Sequence, residues 1–324
     1  MRISPAFSVR RERTWKCVSP ARATRPRSSR TCLGYQPQHA LTFLAVQNGK
    51  VACTGAQELS EGTDYRSVAK HLARVLTVND LTAVVLVGYG PNPSTQDALE
   101  QAIDVFTAAG ITILDAMRVG ENQVWHVGCD EPECQNHGLP YDPQSSVAAA
   151  SATYVGLQVA ADRQALIARL APVTGADRDA MLAAVAATWG TFDFPMEPAE
   201  TADLLEALVA EALAHRLPDE RAARLLVLLA FPQVRDYACH LVHGTDAQIQ
   251  AWTDLTRRAG SGQLACTPAM FLAMAALQSG DGVTATLAAD RACAADPDDE
   301  LARMLEQAIQ LGLSPQALKD ALHN

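Results

Sequence analysis

The sequence predicts an α/β protein: an N-terminal mixed, mostly parallel sheet with flanking helices, followed by an all-α C-terminal domain. Short β-branched runs alternate with segments of helical period in the first part of the chain. From about Ser145 onward helical periodicity continues to the end, with no convincing strand. Apolar residues make up 48% of the 324 and charged residues 19%, enough for a core and too apolar for a disordered chain. Aromatics are only 5%, so alanine carries much of the apolar content, which favours closely packed helices. At roughly 150 residues per domain the length suggests two domains.

The first strand is expected at Leu41–Val46, followed by Asn48-Gly49, the favoured pair for a type I′ hairpin turn. Val51–Cys53 then returns antiparallel. Val68, Leu72, Val75 and Leu76 recur at helical spacing and predict a helix over 63–77. Ala83–Val87 is a continuous β-branched run, the pattern of a strand covered on both faces. After a Gly/Pro-rich turn, Ser94 is a good N-cap, and Ala98, Leu99, Ala102, Ile103 and Phe106 form the stripe of a helix ended by Gly110. Ile111–Leu114 is another buried strand. Beyond a turn at Gly120, Gln123–Val127 places Trp125 and Val127 on one face and His126 on the other. The order β-β-α-β-α-β-β implies parallel βαβ units with a hairpin at one end. Val147–Ala161 suits a buried helix. These elements define a disordered arginine-rich tail at 1–30, an α/β domain at 31–160 and a helical domain at 161–324.

The net charge of −10 is uneven. Residues 1–30 hold nine basic side chains against Glu12, so the remainder stands at −18. An acidic body has no basic stripe with which to neutralise phosphates, which argues against nucleic acid. The arginine-rich head lacks the apolar stretch of a secretory signal. No run reaches the ~18 apolar residues of a bilayer span, so no membrane association is expected. The eight cysteines are mostly isolated, which suggests no disulfide framework, small buried thiols and a reducing, cytoplasmic location.

Several strings together resemble a known family. They are Leu33-Gly34-Tyr35-Gln36-Pro37 before the first strand, the Val84–Pro91 strand and turn, and Cys129-Asp130-Glu131-Pro132-Glu133-Cys134 after the tryptophan strand. Asp142-Pro143, Gly280-Asp281 and Ala292-Cys293-Ala294-Ala295-Asp296-Pro297 also fit. The chain from about residue 31 to the end is similar to the family catalogued as domain of unknown function 4192 (DUF4192), from high-GC Gram-positive bacteria. The resemblance supports the two-part architecture and implies no established activity.

Two constellations could carry chemistry. The turn containing Gly88, Tyr89, Gly90 and Ser94 joins a strand to a helix, whose N-terminus offers free N–H groups to an anion. Asp115 follows 22 residues after Pro93, near where a dinucleotide fold keeps its ribose-binding carboxylate. Pro93 replaces the third glycine of that fingerprint, so a tight, capped turn is the alternative. Second, His126, Cys129, Cys134 and His137 supply four zinc-type ligands within twelve residues, a candidate structural zinc site. A Cys129–Cys134 disulfide or an acidic loop with free thiols are the alternatives. Ala285, Ala292 and Pro297 match the second helix of a tetratricopeptide repeat without a second copy, which favours a single helical hairpin.

No phosphate-loop, His-Glu-x-x-His or Gly-x-Ser-x-Gly motif is present, and the catalytic residues, if any, are unknown. The leading expectation is therefore a binding or scaffolding protein, with a protein partner accessible to the helical domain. The alternative is a nucleotide or small-molecule enzyme using the crevice at the strand carboxyl ends.

Overall fold

The computed structural model describes residues 35, 37–48, 50–60, 62–140, 160, 162–191 and 197–312. The chain divides between Ala165 and Leu166 into two compact units.

The first unit is built on β1 (Ala40–Gln47), β2 (Lys50–Glu58), β3 (Ala83–Tyr89), β4 (Thr112–Val119), β5 (Gln123–His126) and β6 (Leu139–Pro140), in the sheet order β2-β1-β3-β4-β5-β6. Asn48 takes a left-handed φ of 53°, as the expected hairpin turn requires. Helix α1 (Tyr65–Val78) carries the chain from β2 across β1, so that β3 pairs antiparallel with β1. Helix α2 (Ser94–Ala108) then links β3 to β4, which lie side by side and parallel. The sheet is mixed as expected, but β3/β4 is its one adjacent parallel pair. Short connections between β1 and β2 and between β4 and β5 force antiparallel pairing, because only a crossover can reverse the chain into parallel register.

Both helices cover one face. Leu41 and Phe43 of β1 and Val84 and Leu86 of β3 pack against Ala69, Ala73 and Leu76 of α1 and against Leu99, Ala102 and Phe106 of α2. Each large side chain buried there contributes about 1.5–3 kcal/mol. The buried face of α1 is rotated from the expected one: Ala69 and Ala73 replace Val68 and Val75 at its centre. Alanine lets the helix approach the sheet closely, while the larger residues flank the contact. Asp64 caps α1, accepting from the N–H groups of Arg66 and Ser67 at 3.1 Å each. The opposite face buries Leu44, Val85, Val87, Tyr89, Met117, Val119 and Val124. Ala160, at the end of the expected 147–161 helix, instead forms a parallel bridge with Tyr35. The rest of that segment, and the arginine-rich tail, lie outside the described residues.

Helix α4 (Arg163–Arg169) spans the boundary, following the short α3 (Pro132–Asn136) of the first unit. The second unit continues with α5 (Gly175–Thr191), α6 (Pro198–Ala214), α7 (Asp219–Leu229), α8 (Pro232–Cys239) and α9 (Asp246–Arg258). A 3-10 turn at Gln263–Ala265 leads into α10 (Cys266–Ser279), α11 (Gly282–Ala295) and α12 (Glu300–Gln310). Helix α10 is buried from Cys266 to Ala276, so it has no polar face and sits at the centre of the unit. Its antiparallel partner α11 follows through Gly280, at φ 86°, and Asp281, which caps Thr284 N–H. Ala285 and Ala292 are fully buried on α11, so the expected helical hairpin is present. The Arg258 side chain, 1% exposed, pairs with Asp219 and Asp254 and donates to Leu217 O at 2.8 Å.

Candidate functional site

The glycine turn after β3 is built for packing. A Cβ on Gly88 would lie 2.6 Å from Thr95 Cγ2 and 2.9 Å from Leu99 Cδ1, so glycine there lets α2 settle onto the strand. Gly90 has φ 137°, and a Cβ on it would meet His39 Cδ2 at 2.4 Å and Thr95 Oγ1 at 2.7 Å. Tyr89 is buried in the sheet face beside Val87 and Val119. Ser94 is the first residue of α2 rather than its cap. Pro93 holds the cap position and makes no side-chain cap hydrogen bond. The first turn is closed instead by backbone bonds from Thr95 N to Pro91 O and from Asp97 N to Pro93 O.

Asp115 does not join this turn. It pairs with Val85 in the middle of β4, whereas Tyr89 pairs with Val119 four residues on, roughly 13 Å away at ~3.3 Å per residue. Its carboxylate is directed instead to the neighbouring strand. Asp115 Oδ1 accepts from Ala116 N at 3.0 Å and meets His126 Nδ1 at 3.1 Å, both side chains being 2% exposed. A carboxylate that accepts on both bonds makes Nδ1–H the donor, which leaves Nε2 as a lone pair. That Nε2 is buried and has no hydrogen-bond partner among the described residues. An oriented imidazole of this kind has the chemistry of a general base. One residue from each sequence constellation thus meets in a single buried dyad, and Cys134 adjoins it through His126 N.

The other metal candidates are arranged as follows. His137 is exposed at the C-terminus of α3. Cys134 is a buried free thiol whose sulfur accepts from His126 N at 3.5 Å. Cys129 is disulfide-bonded. With Cys134 free, the Cys129–Cys134 bridge considered from sequence is not formed, and the expectation that the cysteines are isolated thiols is corrected at Cys129. Among the described residues no three His, Cys, Asp or Glu side chains are grouped to hold a metal ion.

A recess of about 270 Å³ opens at the carboxyl edge of β3. Ala40, which pairs with both Tyr89 and Glu58, places the start of β1 and the end of β2 at this edge. The floor is apolar and buried, formed by Tyr35, Pro37, Ala40 and Leu59. The rim is polar: His39, Glu58, Asp162 and Arg163. Leu59 N donates to His39 O at 2.9 Å and ties the two rims together. Asp162 Oδ1 accepts from Ala165 N at 2.7 Å and fixes the first turn of α4. Arg163 is two-thirds buried, yet its one ionic partner among the described residues is Glu58, 4.0 Å away. Burial pushes the Tyr35 hydroxyl above its ordinary pKa; the Arg163 charge opposes this and the Glu58 charge adds to it. No motif in the sequence singles out His39, Glu58 or Arg163. The one signal was Tyr35, inside the family-like string before β1.

An α/β unit with a polar recess at one sheet edge, joined in the same chain to an alanine-rich helical unit, is the class of protein these features define. The chain belongs to the family described as domain of unknown function (DUF4192), which matches residues 31–316. No curated protein and no solved structure matches it. Among the described residues no helix is long and apolar enough to cross a membrane.

Proposed function

We propose that the chain is a binding protein whose α/β unit takes a small polar molecule in the recess at the carboxyl edge of β3. The observation that carries this reading is Arg163, a two-thirds buried guanidinium with one distant ionic partner among the described residues, on the wall of an open recess. A partly buried guanidinium keeps several N–H donors that match an ionic acceptor. The edge agrees with the general placement of ligands at the carboxyl ends of strands in open α/β sheets. The recess is at the small end of the range for ligand pockets, so the molecule is small. Native mass spectrometry of the full chain, purified gently and without chelator, tests this. A retained organic mass, lost in Arg163→Gln, supports it; a bare chain that responds to no small metabolite in thermal-shift assays contradicts it.

One observation favours the enzymatic alternative, the buried Asp115–His126 dyad with its unpartnered Nε2. A base so placed is closed off in the described structure and acts only if a substrate reaches it. Loss of a measured turnover in His126→Gln, in a chain that still folds by circular dichroism, would establish that role. The scaffolding role of the helical unit has its best support in α5, where Leu182 and Trp189 are 54% and 46% exposed and only Met181 is buried.

A further inference from the structure

The charges around the recess narrow what it holds. Resting on the binding role proposed above, the geometry points to a zwitterion of the free α-amino-acid type, its carboxylate on Arg163 and Tyr35 and its ammonium on Glu58 and Asp162.

Within the rim Arg163 is the cation, Glu58 and Asp162 are anions, and His39 is exposed. A nucleotide or other polyphosphate would bring several negative charges to a site whose carboxylates already outnumber its guanidinium, and like charges close together are strongly disfavoured. A simple monoanion would pair with Arg163 but face Glu58 uncompensated. A zwitterion satisfies both signs. Arg163 and Glu58 stand 4.0 Å apart, too far for a hydrogen bond, so each retains bonding capacity toward an oppositely charged group. The guanidinium presents a planar fork that matches a carboxylate with two parallel bonds.

Tyr35 supplies the second donor. Its side chain is 4% exposed and lines the same recess as Arg163 and Glu58. No hydrogen bond of its hydroxyl to a described residue occupies it. Burial keeps that hydroxyl protonated and so a donor. The same recess holds two carboxylates with different duties. Asp162 already spends one oxygen on Ala165 N, and its second oxygen and Glu58, 60% exposed at the rim, remain for an ammonium. The apolar floor of Pro37, Ala40 and Leu59 is matched to a short aliphatic side chain. Small volume, one cation, two anions and an apolar floor are together the chemistry of an amino acid.

The test is calorimetric titration of the full chain with each proteinogenic L-amino acid in turn, beside AMP, ATP and simple carboxylates. At least one amino acid should bind, and its decarboxylated and deaminated analogues should each bind on the order of tenfold more weakly or worse, as loss of a charged hydrogen bond implies. Arg163→Gln and Glu58→Gln, both conservative changes at a partly exposed rim, should abolish binding while melting as the unsubstituted chain does. Binding of a nucleotide that Arg163→Gln abolishes would overturn the amino-acid assignment and leave the recess as a binding site. Amino-acid binding that neither variant affects, or no binding by any probe, would overturn the recess itself.

Discussion

Asp115 and His126 show how much a single register decides. They are eleven residues apart in sequence, and they meet because Met117 pairs with His126 in the β4/β5 hairpin, which sets His126 diagonally beside Asp115 on the same sheet face. Sequence alternation correctly put His126 on the face opposite Trp125, yet alternation alone cannot say which residue of the next strand stands across from it. Both partners are almost fully buried, so removing Asp115 takes away the acceptor that His126 Nδ1 meets. Asp115→Ala should cost about 1–3 kcal/mol in urea unfolding, and the Asp115→Ala/His126→Ala double variant should be less destabilised than the sum of the singles. Simple additivity would show that the pair is not coupled. Gly90 is constrained differently. Its φ of 137° and its contacts with His39 and Thr95 leave no room for a side chain, and Gly90→Ala should destabilise the α/β unit by about 1–3 kcal/mol from backbone strain alone. An unchanged unfolding midpoint would contradict that packing role.

At the scale of elements the order β-β-α-β-α-β-β was legible, because Asn48-Gly49, the Gly88–Pro93 turn and Gly110 punctuate β-branched and helical-period runs. Strand direction was less so: helical connections suggested parallel pairs, but α1 crosses over β1 and leaves β2 and β3 unpaired with each other. In the helical unit the buried residues are mainly alanine and leucine, and partners among them are set by packing that no spacing reveals. Two groups there give testable consequences. Cys266, at the start of α10, has its thiol pushed up to about 12, chiefly by burial and then by Asp299 and Asp296. A thiol that binds its proton more tightly when folded stabilises the fold below its unfolded pKa and loses that contribution as pH rises toward the folded value. The helical unit should therefore lose stability between about pH 9 and 12, and Cys266→Ala should flatten that slope in thermal unfolding; an equal slope would assign it elsewhere. Arg258 ties α9 to the start of α7 through Asp219 and Leu217 O. Breaking a buried pair costs about 3–5 kcal/mol, and because its acid partners are about a third exposed, Arg258→Ala should fall at about 3 kcal/mol by denaturant unfolding.

For the molecule as a whole, the class of fold could be read from pattern, while the recess could not. Tyr35, Glu58 and Arg163 come from the edges of three separate segments, spread over 128 residues of sequence, and only the β1/β2 hairpin and the start of α4 bring them together. No local motif marks such a site. The glycine turn that did look like a phosphate cradle owes both its glycines to the approach of α2 and His39. The expectation of a reducing cytosol rested on isolated thiols, and a bonded Cys129 removes part of its support. The central proposal is that a small polar ligand is held at the carboxyl edge of β3. Hydrogen–deuterium exchange of the full chain, with and without the molecule it binds, tests this most directly. The account predicts slowed exchange confined to residues 37–40, 58–60 and the first turn of α4; protection in the Gly88–Ser94 turn or the helical unit, with none at the recess, would contradict it.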